Sequence, residues 1–145
     1  MLDVRPLDSP VGAMFDRALS LEALENDSWG APSFPSGLVT AAHGLRRKPV
    51  GQLSPGELRL LIGQEIGLTY LVPLALEMLE ADPLVEGDYY PGDLLKSVLS
   101  LDRVFWNSHQ ALWARADDVA SAIESLRDGP ENDVLPAVAS FRQIR

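Results

Sequence analysis

The side chains that could support catalysis are two histidines and 21 acids, and their spacing singles out no active site. His43 and His109 stand 66 positions apart, and neither has an acidic residue at metal-ligand spacing, so an HExxH-type metal site is excluded. The GxSxG motif and the glycine-rich phosphate-binding motifs are absent. A carboxylate acting with His43 or His109 remains an alternative, which would make the chain a small hydrolase or lyase.

Metal and cofactor sites are not predicted either. Asp82, Glu86, Asp88 and Asp93 are close together, but their order does not match the calcium loop D-x-[DN]-x-[DN]-G-x₅-E. The chain contains no cysteine, which excludes a thiolate nucleophile and a cysteine-based zinc site. We therefore expect no catalytic residue, no metal and no cofactor.

The most informative feature is a segment without positive charge. No lysine or arginine occurs between Arg59 and Lys96, whereas seven of the 21 acids do. Like charges this close repel one another, and a cationic partner would offset that repulsion. Adjacent tyrosines suit an interface because tyrosine buries a large area at low entropic cost. The predicted binding residues are Glu77, Glu80, Asp82, Glu86, Asp88, Tyr89, Tyr90 and Asp93. The alternative is a solvated acidic rim with both tyrosines folded against the core.

Composition predicts one domain over residues 1–145, with residues 1–8 as a loose lead-in. Of the 145 residues, 46% are apolar, which is enough to bury a core, and the formal net charge is −9. That charge argues against binding nucleic acid or an anionic membrane, since both are polyanions. The absence of cysteine and of a secretory signal favours a cytoplasmic location.

The elements that must position the acids begin with a helix from residue 55. Ser54 is a candidate N-cap, Pro55 occupies the first helical position, and Glu57 completes a capping box. Leu58, Leu61 and Ile62 share one face, and the helix is expected to end near residue 64.

A second helix is predicted over residues 69–80. Residues 71–79 are apolar on nearly every side, so this helix must be surrounded by others. Its apolar run is far shorter than the ~20 residues that a membrane span requires. Pro73 is tolerable only in the first turn, where its missing N–H would have had no partner.

Further helices are predicted at residues 9–19, 36–45, 93–101 and 134–141, with a short turn over 21–25 and a long helical segment over 105–127. This last segment is expected to break near residues 107–108, with Ser108 capping the helix that follows. In the turn-forming segment 26–37, Trp29 and Phe34 are expected to fix the chain to the core. The basic triplet 46–48 is interpreted as helix capping and solvation rather than a phosphate site. The fold should be all-α, a bundle of six or seven helices around residues 71–79.

Several segments resemble the immunity proteins of bacterial contact-dependent growth inhibition (CDI) systems. They are SLEALE with Trp29-Gly30, residues 36–39 leading to LRRKP, ELRLLIGQEIGLTYLVPLA, and DPLVEGDYYPGDLL, which together span roughly residues 20–100. The resemblance implies a non-catalytic intracellular protein that binds and blocks a toxin domain, often a nuclease. It assigns residues 58–76 to the scaffold. An acidic inhibitor suits a basic nuclease because opposite charges steer association. An adaptor without a toxin partner is a further alternative.

Overall fold

The regular structure is helical throughout residues 15–27, 37–124 and 134–143, which are the residues that the computed structural model describes, and no strand occurs there. The helices are α1 (Leu21–Glu25), α2 (Gly37–Leu45), α3 (Pro55–Gly63), α4 (Leu68–Ala81), α5 (Asp93–Leu99), α6 (Arg103–Ser108), α7 (Gln110–Glu124) and α8 (Val134–Arg142). A 3₁₀ turn, Val50–Gln52, lies between α2 and α3. The predicted all-α fold is confirmed. Eight α-helices are described where six or seven were expected, because the short α1 and α6 are helices of their own.

Helix α3 begins with the predicted capping box. The Ser54 hydroxyl accepts a hydrogen bond from the Glu57 backbone N–H at 3.1 Å, and the Glu57 carboxylate accepts one from the Ser54 N–H at 2.9 Å. Pro55 stands at the start of the helix, where no N–H is needed. The helix ends at Gly63, as expected, with Gln64 as its C-cap.

Helix α4 lies at the centre of the molecule, as its apolar surface requires. It packs against α3, α5 and α7, and it contributes more buried residues than any other described helix. These buried residues are Leu71, Val72, Pro73, Leu74, Ala75, Leu76 and Leu79. The apolar faces of all eight helices meet around it in one hydrophobic cluster.

The position of Pro73 differs from the prediction. Because α4 begins at Leu68, Pro73 falls in the second turn, inside the helix rather than at its start. Proline has no N–H to donate, so the carbonyl of Thr69 receives no helical hydrogen bond from position 73. Packing of the fully buried ring against neighbouring helices must outweigh that loss.

Helix α5 is as deeply buried as α4, although it is only half as long. Its Leu94, Leu95, Val98 and Leu99 are buried, and it packs against α3, α4 and α8. The first residue of α5, Asp93, therefore lies at the edge of the core.

Two predicted helix boundaries are wrong. In the segment predicted to be helical over residues 9–19, residues 15–19 form turns, and residues 9–14 lie outside the described residues. Ser108 is the last residue of α6 and not the cap of α7. His109 separates the two helices, and its carbonyl accepts the N–H of Trp113 at 3.0 Å. Residues 1–8, Trp29, Phe34, Ser36 and residues 125–127 also lie outside the described residues.

The basic triplet joins neighbouring elements through ion pairs. Arg46 pairs with Glu25 at 2.6 Å, Arg47 with Glu22 at 3.3 Å, and Lys48 with Glu57 at 2.8 Å. Arg46 is fully buried, so the interpretation of the triplet as a solvated helix end is wrong for this residue. Burial tends to raise the pKa of Glu57, but hydrogen bonds from Lys48 and Ser54 and the charge of Lys48 outweigh burial and lower it.

The central position of α4 predicts a large cost for truncating one of its side chains. Replacing the fully buried Leu76 with alanine should lower the free energy of unfolding by about 2–5 kcal/mol, because a cavity opens in the core. Urea unfolding followed by circular dichroism measures this change. Val104→Ala, at a side chain that is 73% exposed, is the control and should shift stability by less than about 0.5 kcal/mol. Equal effects of the two substitutions would contradict the central placement of α4.

Candidate binding surface

The segment 82–93, here called the acidic loop, connects α4 to α5 and packs against the start of α3. Glu86 and Pro91 form an isolated β-bridge that closes the turn between them. The two backbones approach closely, since a Cβ added at Gly87 would lie 3.2 Å from the Cα of Gly56. The acidic loop is therefore attached to a helix and has a defined shape.

The buried side chain of Asp93 fixes the backbone of the acidic loop. Its side chain is 3% exposed, and its two carboxylate oxygens accept the backbone N–H groups of Gly87 at 2.6 Å and Tyr89 at 3.0 Å. The Nε of Arg59 lies 3.9 Å from Oδ2. Asp93 was predicted to offer its charge to a partner, but the structure places that charge inside. Its structural role is to position the residues around it.

Glu77 and Glu80, at the C-terminal end of α4, are both paired with arginines from other parts of the chain. Glu77 accepts two hydrogen bonds from Arg17, and Glu80 accepts two from Arg115 of α7, at 2.8 and 2.9 Å. The hydrogen bond from Arg115 lowers the pKa of Glu80 more than burial raises it, and the same contact raises the pKa of Arg115. These predicted binding residues thus also connect α4 to its neighbours.

Three acids of the acidic loop, Asp82, Glu86 and Asp88, are exposed. Glu80 is exposed as well, but it is paired with Arg115. Asp82 accepts the Leu84 N–H at 3.1 Å, and the Asp88 side chain, 60% exposed, lies 3.9 Å from Nη2 of Arg59. Glu86 makes no ion pair within the part of the chain that the structure describes. Within the acidic loop, these three positions carry the exposed charge.

The two tyrosines of the acidic loop have different environments. Tyr89 is 68% exposed, and the guanidinium carbon of Arg59 lies 4.5 Å from its ring centroid. Tyr90 is half-buried and packs against the hydrophobic core. The prediction of an exposed aromatic anchor therefore fits Tyr89, whereas Tyr90 adopts the alternative, a tyrosine folded against the core.

A cavity of about 240 Å³ lies beside Tyr89, between α3 and α5. Its lining includes Arg59, Glu65, Tyr89, Asp93 and Lys96, and neither histidine.

His109 does not line this cavity and contacts Phe105 instead. Its Nδ1 lies 2.9 Å from the carbonyl oxygen of Phe105, and its ring stacks on the ring of that residue. The arrangement thus gives no support to the hypothesis of a hydrolase in which a histidine and an acid converge in this pocket. Among the described residues, no group of three or more histidines and acids could hold a metal ion.

The important residue that the sequence did not reveal is Arg59. In the sequence it marks only the boundary of the acid-rich segment, yet in the structure it contacts the Tyr89 ring and lies beside both Asp88 and Asp93. Its position on α3 next to Leu58 could have indicated a side chain at the edge of the core. Its partners could not be found from sequence, because they lie about 30 positions away and only the fold brings them close.

The fold and this surface define a helical protein that presents a positioned acidic and aromatic loop. Residues 23–116, more than half of the chain, match the family of CDI immunity proteins. The chain therefore belongs to this family, and its role is immunity against a CDI toxin, which implies binding to a cognate toxin. No curated protein matches the sequence. None of the helices in the described ranges combines the length and the apolar character needed to cross a bilayer.

The role of Asp93 can be tested by an isosteric change. In Asp93→Asn, one of the two loop N–H groups faces an amide donor instead of an oxygen, and a buried unpaired donor costs about 1–3 kcal/mol. We expect lower stability in urea and faster hydrogen exchange at the amides of Gly87 and Tyr89. Asp102→Asn is the matched control, because Asp102 caps α6 with a single hydrogen bond and asparagine caps equally well. Unchanged exchange at both amides would refute the positioning role.

The Glu80–Arg115 pair predicts a pH dependence. The pKa of Glu80 in the folded protein lies below its ordinary value of 4.5. The pair therefore contributes its full stabilisation of the folded state above pH 4.5, and this contribution is lost as the pH falls through the folded pKa. Because the Glu80 side chain is 41% exposed, we expect Glu80→Gln to cost only about 0.5–1 kcal/mol at pH 7. That cost should shrink as the pH falls below 4.5 and disappear once the pH lies below the folded pKa, as followed by urea unfolding at several pH values. Glu86→Gln, at an acid that makes no ion pair among the described residues, is the control. A cost that persists in acid would contradict this role.

Proposed function

We propose that this CDI immunity protein neutralises a basic toxin domain, of the nuclease class, by binding it through the acidic loop. Asp82, Glu86 and Asp88 would supply the negative charge, and Tyr89 would be the aromatic anchor. A nuclease needs a cationic surface to hold phosphates, so an acidic inhibitor gains both faster association and complementarity. Toxin and inhibitor would meet in the cytoplasm, where the nucleic acid is.

The observation that carries this proposal is the exposure of Tyr89 on a fixed loop. Tyr89 is 68% exposed although tyrosine is a large aromatic residue, and the Asp93 carboxylate and the Arg59 guanidinium both hold it in place. An aromatic side chain presented in this way loses little entropy on binding, which is typical of residues that dominate interfaces.

The surrounding charges also favour an acidic face. Glu77 and Glu80 are neutralised by Arg17 and Arg115, so they contribute less to the external field than the sequence suggests. The exposed carboxylates of the acidic loop remain, and those of Glu86 and Asp88 are close to Tyr89 in the sequence. An aromatic centre with a polar rim is the usual anatomy of a protein interface.

Charge reversal on the acidic loop tests the proposal. The double variant Glu86→Lys, Asp88→Lys should weaken toxin affinity by about tenfold or more and flatten its salt dependence, because it replaces attraction with repulsion. Titration calorimetry at two salt concentrations, with a catalytically inactive form of the cognate toxin domain, measures both quantities.

The matched control is the triple variant Gln110→Lys, Ala114→Lys, Asp118→Lys at exposed positions of α7, which makes the same change of net charge away from the acidic loop. If it reduced affinity as strongly as the loop variant, net charge alone would explain binding. If neither variant changed affinity or salt dependence, the acidic loop would be removed from the interface.

A further inference from the structure

The cavity beside Tyr89 is too small for most ligands but large enough for one side chain. Its volume is about 240 Å³, below the ~300 Å³ at which pockets for drug-sized molecules begin. It opens between α3 and α5 next to the surface proposed to bind the toxin. Its polar lining includes the cations Arg59 and Lys96 and the hydroxyl groups of Ser97 and Ser100.

Arg59 in this cavity has donors that the fold does not use. Its side chain is 20% exposed, and its nearest carboxylate oxygens, on Asp88 and Asp93, are both 3.9 Å away, beyond hydrogen-bonding distance. Its Nε is buried and donates to nothing in the described part of the chain. The Asp93 oxygens already accept two backbone N–H groups.

Arg59 nevertheless has a defined neighbour. Its guanidinium lies over the Tyr89 ring, with the Cζ atom 4.5 Å from the ring centroid. A guanidinium in contact with an aromatic ring can still donate two parallel hydrogen bonds from its edge to one carboxylate. A buried donor without a partner is costly, and a ligand that supplied the missing acceptor would remove that cost.

We propose that Arg59 receives the carboxylate of one aspartate or glutamate side chain of the toxin, inserted into the cavity beside Tyr89. This inference deepens the proposed function and rests on it. The contact has the opposite polarity to the acidic loop, because here the immunity protein supplies the cation and the toxin the anion.

A protein partner is a better source of this anion than solution is. The chain carries a net charge of −9, and Asp88, Asp93 and Glu65 surround the site, so a free anion or a nucleic-acid phosphate is repelled. A carboxylate attached to a basic toxin is delivered by the attraction between the two proteins, at high effective concentration. Once inserted, this carboxylate fixes how the two proteins are aligned in the complex.

The arrangement also gives a reason for selectivity among basic partners. When a basic protein without a carboxylate at the matching position binds, it buries Arg59 fully and leaves the hydrogen-bond donors of Arg59 unpaired. Such unpaired groups lower the affinity of the wrong partner more than that of the right one.

The test combines variants of both proteins. We expect Arg59→Gln to weaken the affinity for the inactive cognate toxin domain by about tenfold or more, and Arg59→Lys to restore little of it, because lysine lacks the planar pair of donors. Arg103→Gln, which removes the same charge from an exposed position on α6, should stay within about twofold of the unmodified protein. Titration calorimetry supplies the affinities, and urea unfolding shows whether each variant is folded.

A double-mutant cycle separates a direct contact from a structural role. Each acid of the toxin domain is changed in turn to its amide. One of these changes should cause the same loss as Arg59→Gln, and combining the two should add little, whereas a structural role for Arg59 would give additive losses throughout. Arg59→Lys keeps a cation near Asp93 and Tyr89, so the cycle can be run with it if Arg59→Gln does not fold.

Two outcomes would overturn the proposal: Arg59→Gln binding as well as Arg103→Gln, or additivity with every toxin acid. If charge reversal at Glu86 and Asp88 abolished binding while Arg59→Gln did not, only the carboxylate contact would be wrong. If Arg59 coupled to a toxin acid while charge reversal had no effect, the contact would stand and the acidic loop would not be the interface.

Discussion

The burial of α4 is the constraint on which the rest of the structure depends. A helix with an apolar side chain in almost every direction has no stable place at a surface, so other helices must cover it. Helices α3, α5 and α7 do so. Ion pairs also join distant parts of the chain at the C-terminal end of α4, where Arg17 pairs with Glu77 and Arg115 pairs with Glu80.

This arrangement decides which acids are available for binding. Glu77 and Glu80 form salt bridges between elements, and Asp93 is buried where it can hold two backbone N–H groups. The positioned loop then carries the remaining exposed charges, with Tyr89 among them. Placing charge on a loop fixed to two helices gives an interface little entropy to lose when it binds. The proposed toxin contact follows from the same packing that stabilises the core.

Local sequence patterns predicted much of the fold. The capping box of Ser54 and Glu57 lies within three residues, and the apolar pattern of α4 lies within one helix, so both could be recognised without knowing the tertiary structure. Interactions between distant residues could not. Arg46 appeared to be one member of a solvated basic triplet, but it is fully buried against Glu25, 21 positions earlier. Likewise, sequence spacing grouped Asp93 with the exposed acids, whereas the contact between the acidic loop and α3 places it inside.

The toxin is proposed to contact the acidic loop and Arg59 of α3. Hydrogen–deuterium exchange of the immunity protein, alone and saturated with the inactive cognate toxin domain, tests this contact most directly. We expect slower exchange on binding in residues 82–93 and around Arg59, with little change along α8. Slower exchange confined to α7 and α8, with residues 82–93 exchanging as in the free protein, would contradict it.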